Sequence, residues 1–539
     1  MRNERVVITQ INYISNGQVL TLEKGRLYDI YEEDATRVSG CYCSNTATQE
    51  ENPNGDVFAG ICLQDKENLV IDGNGATLLI HGVLTPLLFL RCKNVVLKNI
   101  TIDYARPTMS EFLVKEKIED GYLLQLSEKS DYIVENEELF WVSEKKPNGE
   151  YYWKRPYCSD KELSMYYNPR TEKTYYVQGG GVRFPCVPAF TYIEKRDKNT
   201  LFVKTQEGVS LPLGCVVQTR DVTRNALGGA FLYCKNIRLE NVQIYAMHGF
   251  GLLAQYCENV SYKNVQCTPK TGRTIASNAD FFHFSGCKGK IVLQACHAVG
   301  GHDDFVNVHG THLRVIEKNE TERRVTVRFM HNQTWGFASF FVGDKIEFIR
   351  WNTLCPYAKN KVLKVKKINS TDIELFLKYP LPKNVEEKDV IENTSWTPSL
   401  RIKDCYFGPS MGRGVLCTTR KKVRIIHNVF YKTGGSVLSI EDDCNFWYES
   451  GHTKDVLFAK NTVIDCAYAT ASETMPPAKK PPVFFVAPKV MDENFQGHVH
   501  KKIRVIKNRI VTDSRGEQGV YFFRYAKKVT IKKNTLIKE

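Results

Sequence analysis

Apolar and polar residues alternate along much of the chain in short phrases that recur, most of them built around an asparagine. One reads Val95-Val96-Leu97-Lys98-Asn99-Ile100-Thr101-Ile102, and another Ile237-Arg238-Leu239-Glu240-Asn241-Val242-Gln243-Ile244. Further copies begin at Val260, Val423, Val456, Ile503 and Val529, and Leu69-Val70-Ile71-Asp72-Gly73 precedes them all. Alternation with period two predicts strands, because successive side chains of an extended chain point to opposite faces. Asn241 and Asn264 are 23 residues apart, and Asn508 and Asn534 are 26 apart. A period in the twenties predicts a solenoid with one coil per repeat, here a right-handed parallel β-helix. An α-solenoid is excluded, since the repeats lack helical spacing. Asparagine tolerates the left-handed backbone of a sharp corner. Stacked coils would also align these amides into a ladder along the axis.

Two stretches break the rhythm. No coil phrase appears between about Arg106 and Asp221, or between about Thr311 and Pro398, although strand-like runs such as Arg324–Phe329 and Lys345–Ile349 occur there. Each reads as an inserted antiparallel, barrel-like β module. The chain then divides into β-helix segments 1–105, 222–310 and 399–539, with insertions at 106–221 and 311–398.

Composition narrows the class only a little. The net charge of +14 is spread in short groups such as Lys421-Lys422, and no nucleic-acid-binding signature accompanies it. A solvated surface is therefore expected and a nucleic-acid partner is not, while an acidic polysaccharide substrate stays open. No apolar stretch has membrane-spanning length. Met1–Val7 lacks the apolar core of a signal peptide, so either the protein is cytosolic or an export signal has been trimmed. The 17 cysteines are odd in number. Cys234, Cys257, Cys287 and Cys405 fall in or beside apolar strand patterns, where a thiol packs as a small hydrophobe.

Chemistry concentrates in one segment. Asn278-Ala279-Asp280 is followed by Gly300-Gly301-His302-Asp303-Asp304-Phe305-Val306-Asn307-Val308-His309-Gly310. Asp280 to Asp303 is 23 residues, one coil, which sets the two on neighbouring strands with backbones about 4.8 Å apart. Three carboxylates then converge, and their mutual repulsion should hold at least one proton at neutral pH. An acid and base pair of this kind is what glycoside hydrolysis needs. A corner turn with one capping Asp would explain a single carboxylate, not three.

Asn-x-Asp, then Asp-Asp one coil later, then His-Gly resembles the motif order of polygalacturonases, with Ala279 and Val308 as departures. Arg401-Ile402-Lys403 imitates a further motif of theirs but falls in strand register with the coil phrases. The sequence is more similar, over nearly its whole length, to glycoside hydrolase family 110. These are exo-acting α-1,3-galactosidases that remove the terminal galactose of the blood group B antigen. Asp-Asp-x-x-Asn-x-His-Gly and Phe446-Trp447-Tyr448-Glu449-Ser450-Gly451 carry the likeness. It implies a β-helix with barrel insertions, an inverting mechanism without a metal or other cofactor, and Asp280, Asp303 and Asp304 as the catalytic set. It also implies a periplasmic or secreted bacterial protein whose signal has been removed. By analogy with polygalacturonases, Asp303 is expected to be the general acid, with Asp280 and Asp304 activating water. Inversion asks for carboxyls about 6.5–9.5 Å apart, so the side chains must diverge or one must only assist.

Asn278, Asn307, His309, Trp335, Arg413, Glu441, Trp447 and Glu449 are the expected substrate-binding residues, the two Trp as stacking platforms. No metal site is expected from His283, His297, His302, His309 and His312, which show no zinc-enzyme spacing. Three other readings compete: an endo-acting polygalacturonase-like hydrolase, a non-catalytic glycan-binding β-helix, and a calcium-dependent lyase. The last lacks carboxylates at calcium-ligand spacing.

Overall fold

The computed structural model describes residues 11–157, 162–176, 190–207, 209–221, 223–469, 480–513 and 516–538. Met1–Val7 lie outside them. The recurring phrases are the strands of one long parallel sheet. Its rungs are Glu67–His81, Lys93–Tyr104, Lys235–Ile244, Glu258–Cys267, Lys288–Gln294, Pro398–Lys403, Lys422–Ile426, Asp455–Ala459, His500–Ile506 and Ala526–Lys532, each paired in parallel with the next. A second parallel sheet lines another side of the coil. It runs from Val57–Gln64 through Leu227–Leu232, Phe250–Gln255, Phe282–Ser285 and Val415–Cys417 to Tyr521–Phe523. Single bridges link Met247, Ser277, Gly301, Ser410 and Thr433 along a third line. The chain is a parallel β-helix.

Inside the coil, residues of like position stack. Phe305, Phe407, Phe430 and Phe458 follow one another with ring centroids 5.3–5.5 Å apart. Cys92, Cys234, Cys257 and Cys287 form another buried column without disulfides. The Cys92 amide donates to Cys234 Sγ at 3.3 Å, and the Cys234 amide donates to Cys257 Sγ at the same distance. Packing is the role of these thiols.

The asparagines at the centre of the recurring phrases form ladders at both ends of the coil. In the N-terminal coils Asn99, Asn241 and Asn264 carry the left-handed backbone themselves and point outward. Asn264 donates to Asn241 and Asn241 to Asn99, both at 2.9 Å. In the C-terminal coils His427, Lys460, Lys507 and Lys533 take the left-handed position, and the asparagine after each turns inward. Asn428 donates to Asn461 at 2.9 Å, and the ladder continues through Asn508 to Asn534. Aligning the phrases on Asn is therefore one residue out: Asn428 matches Ile100. The column reads Ile100, Val242, Val265, Cys296, Cys405, Asn428, Asn461, Asn508, Asn534.

Lys93–Tyr104 pairs directly with Lys235–Ile244, and Lys288–Gln294 with Pro398–Lys403, so the chain between leaves and returns to adjacent coils. In the first excursion, Ser110–Ile118, Gly121–Leu126, Phe190–Lys195, Thr200–Thr205, Glu162–Asn168, Lys173–Tyr176 and Val216–Asp221 build an antiparallel sheet with its own core around Phe112, Trp141 and Tyr157. The second begins on Val306–Asn319, one strand that serves both bodies. Its first residues pair with the β-helix, and its later ones close a six-stranded antiparallel barrel with Arg324–Arg328, Lys345–Ile349, Pro356–Lys367, Asp372–Leu377 and Val390–Asn393.

Candidate active site

Phe282–Ser285 pairs with Val306–His309, an offset of 24, and Val306 pairs with Val415. Asp280, Asp304 and Arg413 consequently hold one position on three successive coils. The expected one-coil partner of Asp280 was Asp303 at 23 residues; the extra residue in this coil makes it Asp304. Coil-to-coil bonds fix the stack, with the Phe281 amide on Asp304 O at 2.9 Å and the Phe305 amide on Arg413 O at 3.0 Å. Two glycines permit the close approach. A Cβ on Gly251 would lie 2.0 Å from Asp280 O, and one on Gly412 would lie 2.0 Å from the Asp303 carbonyl carbon.

Asp280 and Asp304 are 6% and 1% exposed, whereas the Asp303 side chain, on the turn just before, is 33% exposed. One oxygen from each of the three lies within 4.8 Å of the others. The side chains do not diverge to the separation expected for inversion. Every oxygen of the two buried groups is engaged. Arg413 clamps Asp304 through Nε (2.9 Å to both oxygens), Nη2 (2.7 Å to Oδ2) and its own amide (2.8 Å to Oδ1). Asp280 Oδ1 accepts from the Asp304 amide at 3.2 Å, and Oδ2 meets His283 Nδ1 at 2.7 Å and Asn307 Nδ2 at 3.4 Å. Asp303 accepts from Arg224 at 3.2 Å.

Burial and neighbouring carboxylates push Asp280 and Asp304 up to about 8, against the pull of Arg224 and Arg413. The cluster thus keeps a proton at neutral pH. Hydrogen bonding decides where it sits. Asp304 faces only donors, so it needs its lone pairs. Burial holds His283 neutral, well below the usual histidine range. His309 Nδ1 donates to Gly310 O at 2.7 Å, leaving its Nε2 to accept from His283 Nε2 at 2.8 Å. His283 Nδ1 then carries a lone pair, and Asp280 supplies the proton between them.

These groups open on a cleft of about 560 Å³ lined by Asn45, Arg224, Asp280, Asp303, Asp304, Asn307, Arg413, Glu441, Phe446, Trp447, Glu449 and Lys489, among others. Arg413 donates to Glu441 at 3.0 Å, and Glu441 also accepts from Ser439 at 2.7 Å and pairs with Lys489 at 3.0 Å. Burial alone would raise Glu449, yet Arg413 and the Asn45 amide hold it below its ordinary range. Five expected substrate contacts, Asn307, Arg413, Glu441, Trp447 and Glu449, stand on this wall. Three do not. Asn278 is 0% exposed, His309 is buried under the cleft, and Trp335 is spent in packing, with Nε1 on Ala47 O at 3.1 Å and its ring on Tyr42. Among the expected non-ligand histidines, His312 binds buried Asp442 at 2.8 Å and His302 is tied to Gln218 and Arg220 at 2.9 and 3.1 Å. Sequence reasoning missed Asn45, Arg224, Phe446 and Lys489. Asn45 reaches Glu449 at 2.7 Å across 404 residues, a contact no local pattern announces.

Three elements wall the cleft. The loop around Asn45 covers one side and is pinned by Thr334 and Trp335 of the barrel. Trp447 stacks on His331 at 4.1 Å. Strand Val216–Asp221 of the first excursion presents Gln218 and Arg220 to His302, beside Asp303.

Residues 324–391 match the family model "GLAA-B beta-barrel domain II". The chain is 36% identical over 459 residues to the alpha-1,3-galactosidase A of Bacteroides fragilis, covering 84% of this chain and 72% of the relative. It is 34% identical over 515 residues to that of Akkermansia muciniphila (95% and 80%), and 30% identical over 527 residues to the alpha-1,3-galactosidase B of Bacteroides thetaiotaomicron (97% and 81%). Among solved structures it is similar to the A-module of the Azotobacter vinelandii mannuronan C-5 epimerase AlgE6, with a TM-score of 0.37 at 9% identity over 99% of this chain and 95% of that one.

Proposed function

Because the chain belongs to the α-1,3-galactosidase family, we propose that it hydrolyses terminal α-1,3-linked galactose from oligosaccharides or glycoconjugates, acting from the chain end and inverting the anomeric centre. The observation that carries this reading is the Asp280–Asp304–Arg413 stack, with Asp303 beside it facing the cleft. Asp303, the solvent-facing member at 33% side-chain exposure, takes up a proton from the cleft and passes it to the departing glycosidic oxygen. Once Asp280 is in its carboxylate form, a water held over Asp280 and Asp304 gives up a proton to it as the water oxygen attacks C1, so the products are galactose and a free hydroxyl. Retention would need a carboxylate oxygen free to bond C1. Both oxygens of Asp280 and of Asp304 are already occupied, which supports water as the nucleophile. By spacing alone the carboxyls resemble a retaining pair, and it is the occupied oxygens of Asp280 and Asp304 that favour water as the attacking group.

Chain-end action follows from the walls. A bare β-helix offers an open groove, whereas the Asn45 loop and the insertions make a pocket for one terminal sugar. In this reading 1–105, 222–310 and 399–539 form the helix that bears the acids, and 106–221 and 311–398 are modules that enclose them. Asn307, Arg413, Glu441, Trp447 and Glu449 bind the galactose and its neighbour. The partner is a glycan and not a nucleic acid. Among the described residues no helix is long and apolar enough to cross a membrane. NMR of the first sugar released from an α-1,3-galactosyl disaccharide tests the proposal. β-Galactose is expected; initial α-galactose, or cuts inside a polymer, would refute it.

A further inference from the structure

Under the cleft floor Asp280, His283, His309 and Glu449 form a continuous buried row. The contacts are 2.7 Å from Asp280 Oδ2 to His283 Nδ1, 2.8 Å between the two Nε2 atoms, and 3.5 Å from His309 Nε2 to Glu449 Oε1. His283 is 0% and His309 2% exposed, and Phe250 packs edge-on against the His283 ring at 5.1 Å. Solvent cannot exchange with either ring directly. A group that activates water must reach the reaction as a carboxylate, yet in the resting arrangement Asp280 bears the proton. That proton can leave outward to the cleft or inward along the row, and only the inward route keeps it beside the site.

We infer that His283 and His309 are positioning residues that form a proton relay, drawing the proton off Asp280 and parking it on His309 against the carboxylate of Glu449. The transfer balances. Asp280 Oδ2–H passes its proton to His283 Nδ1, and His283 passes the proton on its Nε2 to His309 Nε2. His309 keeps its Nδ1 proton on Gly310 O. The result is an Asp280 carboxylate, a neutral His283 in the other tautomer, and a His309 imidazolium paired with Glu449. The net charge of the row is unchanged, so no ion needs to cross the apolar wall. The charged groups facing the row are Asp303, Asp304, Arg224 and Arg413. Asn45 and Asn307 donate to Glu449 Oε1 at 2.7 and 3.4 Å and keep it an acceptor.

The inference rests on the hydrolase reading, and two measurements separate their failures. In His309→Gln the amide keeps a polar contact with His283 but cannot store a proton; in Glu449→Gln the compensating charge is gone. Without the relay Asp280 must lose its proton to solvent. The acid limb of kcat on an α-1,3-galactoside should then move up by at least about one pH unit, with a loss near neutral pH of about 10–100-fold that shrinks as pH rises. His309→Gln should leave KM unchanged. A purely structural role would lower kcat equally at every pH, and that result overturns the relay. So does an Asp280→Asn variant that regains activity on a dinitrophenyl galactoside, which would make Asp280 the leaving-group acid. Nitrogen NMR of the resting protein, labelled only at histidine, needs no substrate. Protons on His309 Nδ1 and His283 Nε2 are expected at neutral pH, and the opposite tautomer of His283 overturns the relay even if the substrate has been misjudged.

Discussion

Asn428, Asn461, Asn508 and Asn534 stand one above another inside the C-terminal coils, as Asp280, Asp304 and Arg413 do on the cleft wall. Both stacks use the same device, a polar side chain repeated at one position of successive coils. An amide carries a donor and an acceptor, so each asparagine satisfies the next and the buried ladder is neutral. A carboxylate carries only acceptors. Stacking two of them in a buried place forces one to keep a proton and the other to find a guanidinium. The ladder spends its polarity on holding the corner, and the Asp stack leaves an unshared proton demand beside solvent.

The largest effect expected from breaking this contrast is on turnover. Asp303→Asn, Asp280→Asn and Asp304→Asn each keep the shape and remove the carboxylate, and each should lower kcat by about 10²–10⁴-fold with the fold intact. Steady-state assays with circular dichroism check both halves; three folded variants with near-normal kcat would remove the catalytic assignment. Asp280→Asn should also become the more stable protein as pH rises. The folded pKa of Asp280 is raised to about 8, above the unfolded value near about 3.9. The native chain therefore binds the proton more tightly in that window, and wild-type stability falls as pH climbs through it. The variant lacks this decline, which denaturant titrations between pH 5 and 8 would read.

Next in size is Arg413→Met. It removes the only cation on Asp304 among the contacts above and leaves a buried carboxyl facing Asp280. A loss of about 3–5 kcal/mol of stability is expected, the usual cost of orphaning one partner of a buried pair. Partial recovery at low pH, where Asp304 is protonated, would separate charge from packing. A variant as stable as the wild type at pH 7 would mean that Asp304 is neutral without its arginine.

Asn461→Ala probes the other stack. Asn428 loses its acceptor, and the backbone carbonyl of Ile425 loses the amide that reaches it at 2.9 Å. Unsatisfied buried groups cost about 1–3 kcal/mol each. Urea midpoints should drop accordingly while kcat stays within twofold, since the ladder lies off the cleft wall. A change in kcat matching that of the Asp variants would show that the two stacks are coupled.

The coil phrases were legible because period two and a spacing in the twenties leave few architectures open. The aspartate cluster was legible because one coil in sequence is one rung in space. Its register was not. A one-residue difference in coil length moved the stacked partner from Asp303 to Asp304, and adjacent aspartates gave no means of telling them apart. The same slip hid the switch of the asparagine ladder from outside to inside at Asn428. Trp335 read as a surface group because nothing local shows the Asn45 loop closing over it. Arg224 and Asn45 come from a returning segment and from an N-terminal loop, and their place beside Asp303 and Glu449 depends on contacts made after the coils have stacked.

The smallest effect expected is none, on exhaustive chelation. Three carboxylates within 4.8 Å are the kind of group that collects divalent cations elsewhere, and an amide ladder never would. Here the positive charge is supplied by protein. Arg413 takes both oxygens of Asp304, Arg224 takes Asp303, and Asp280 shares its own proton with His283 and accepts from the Asp304 amide. A cation would have to displace an arginine that holds Asp304 through two guanidinium nitrogens and its own amide at 2.7–2.9 Å, and then occupy a site where one carboxyl still carries its proton. Dialysis against EDTA followed by galactose-release assays should therefore leave kcat and KM unchanged. Loss of activity restored by added calcium or zinc would mean that the aspartates are ligands first. The contrast with the asparagine ladder would then be one of metal binding, not of proton sharing.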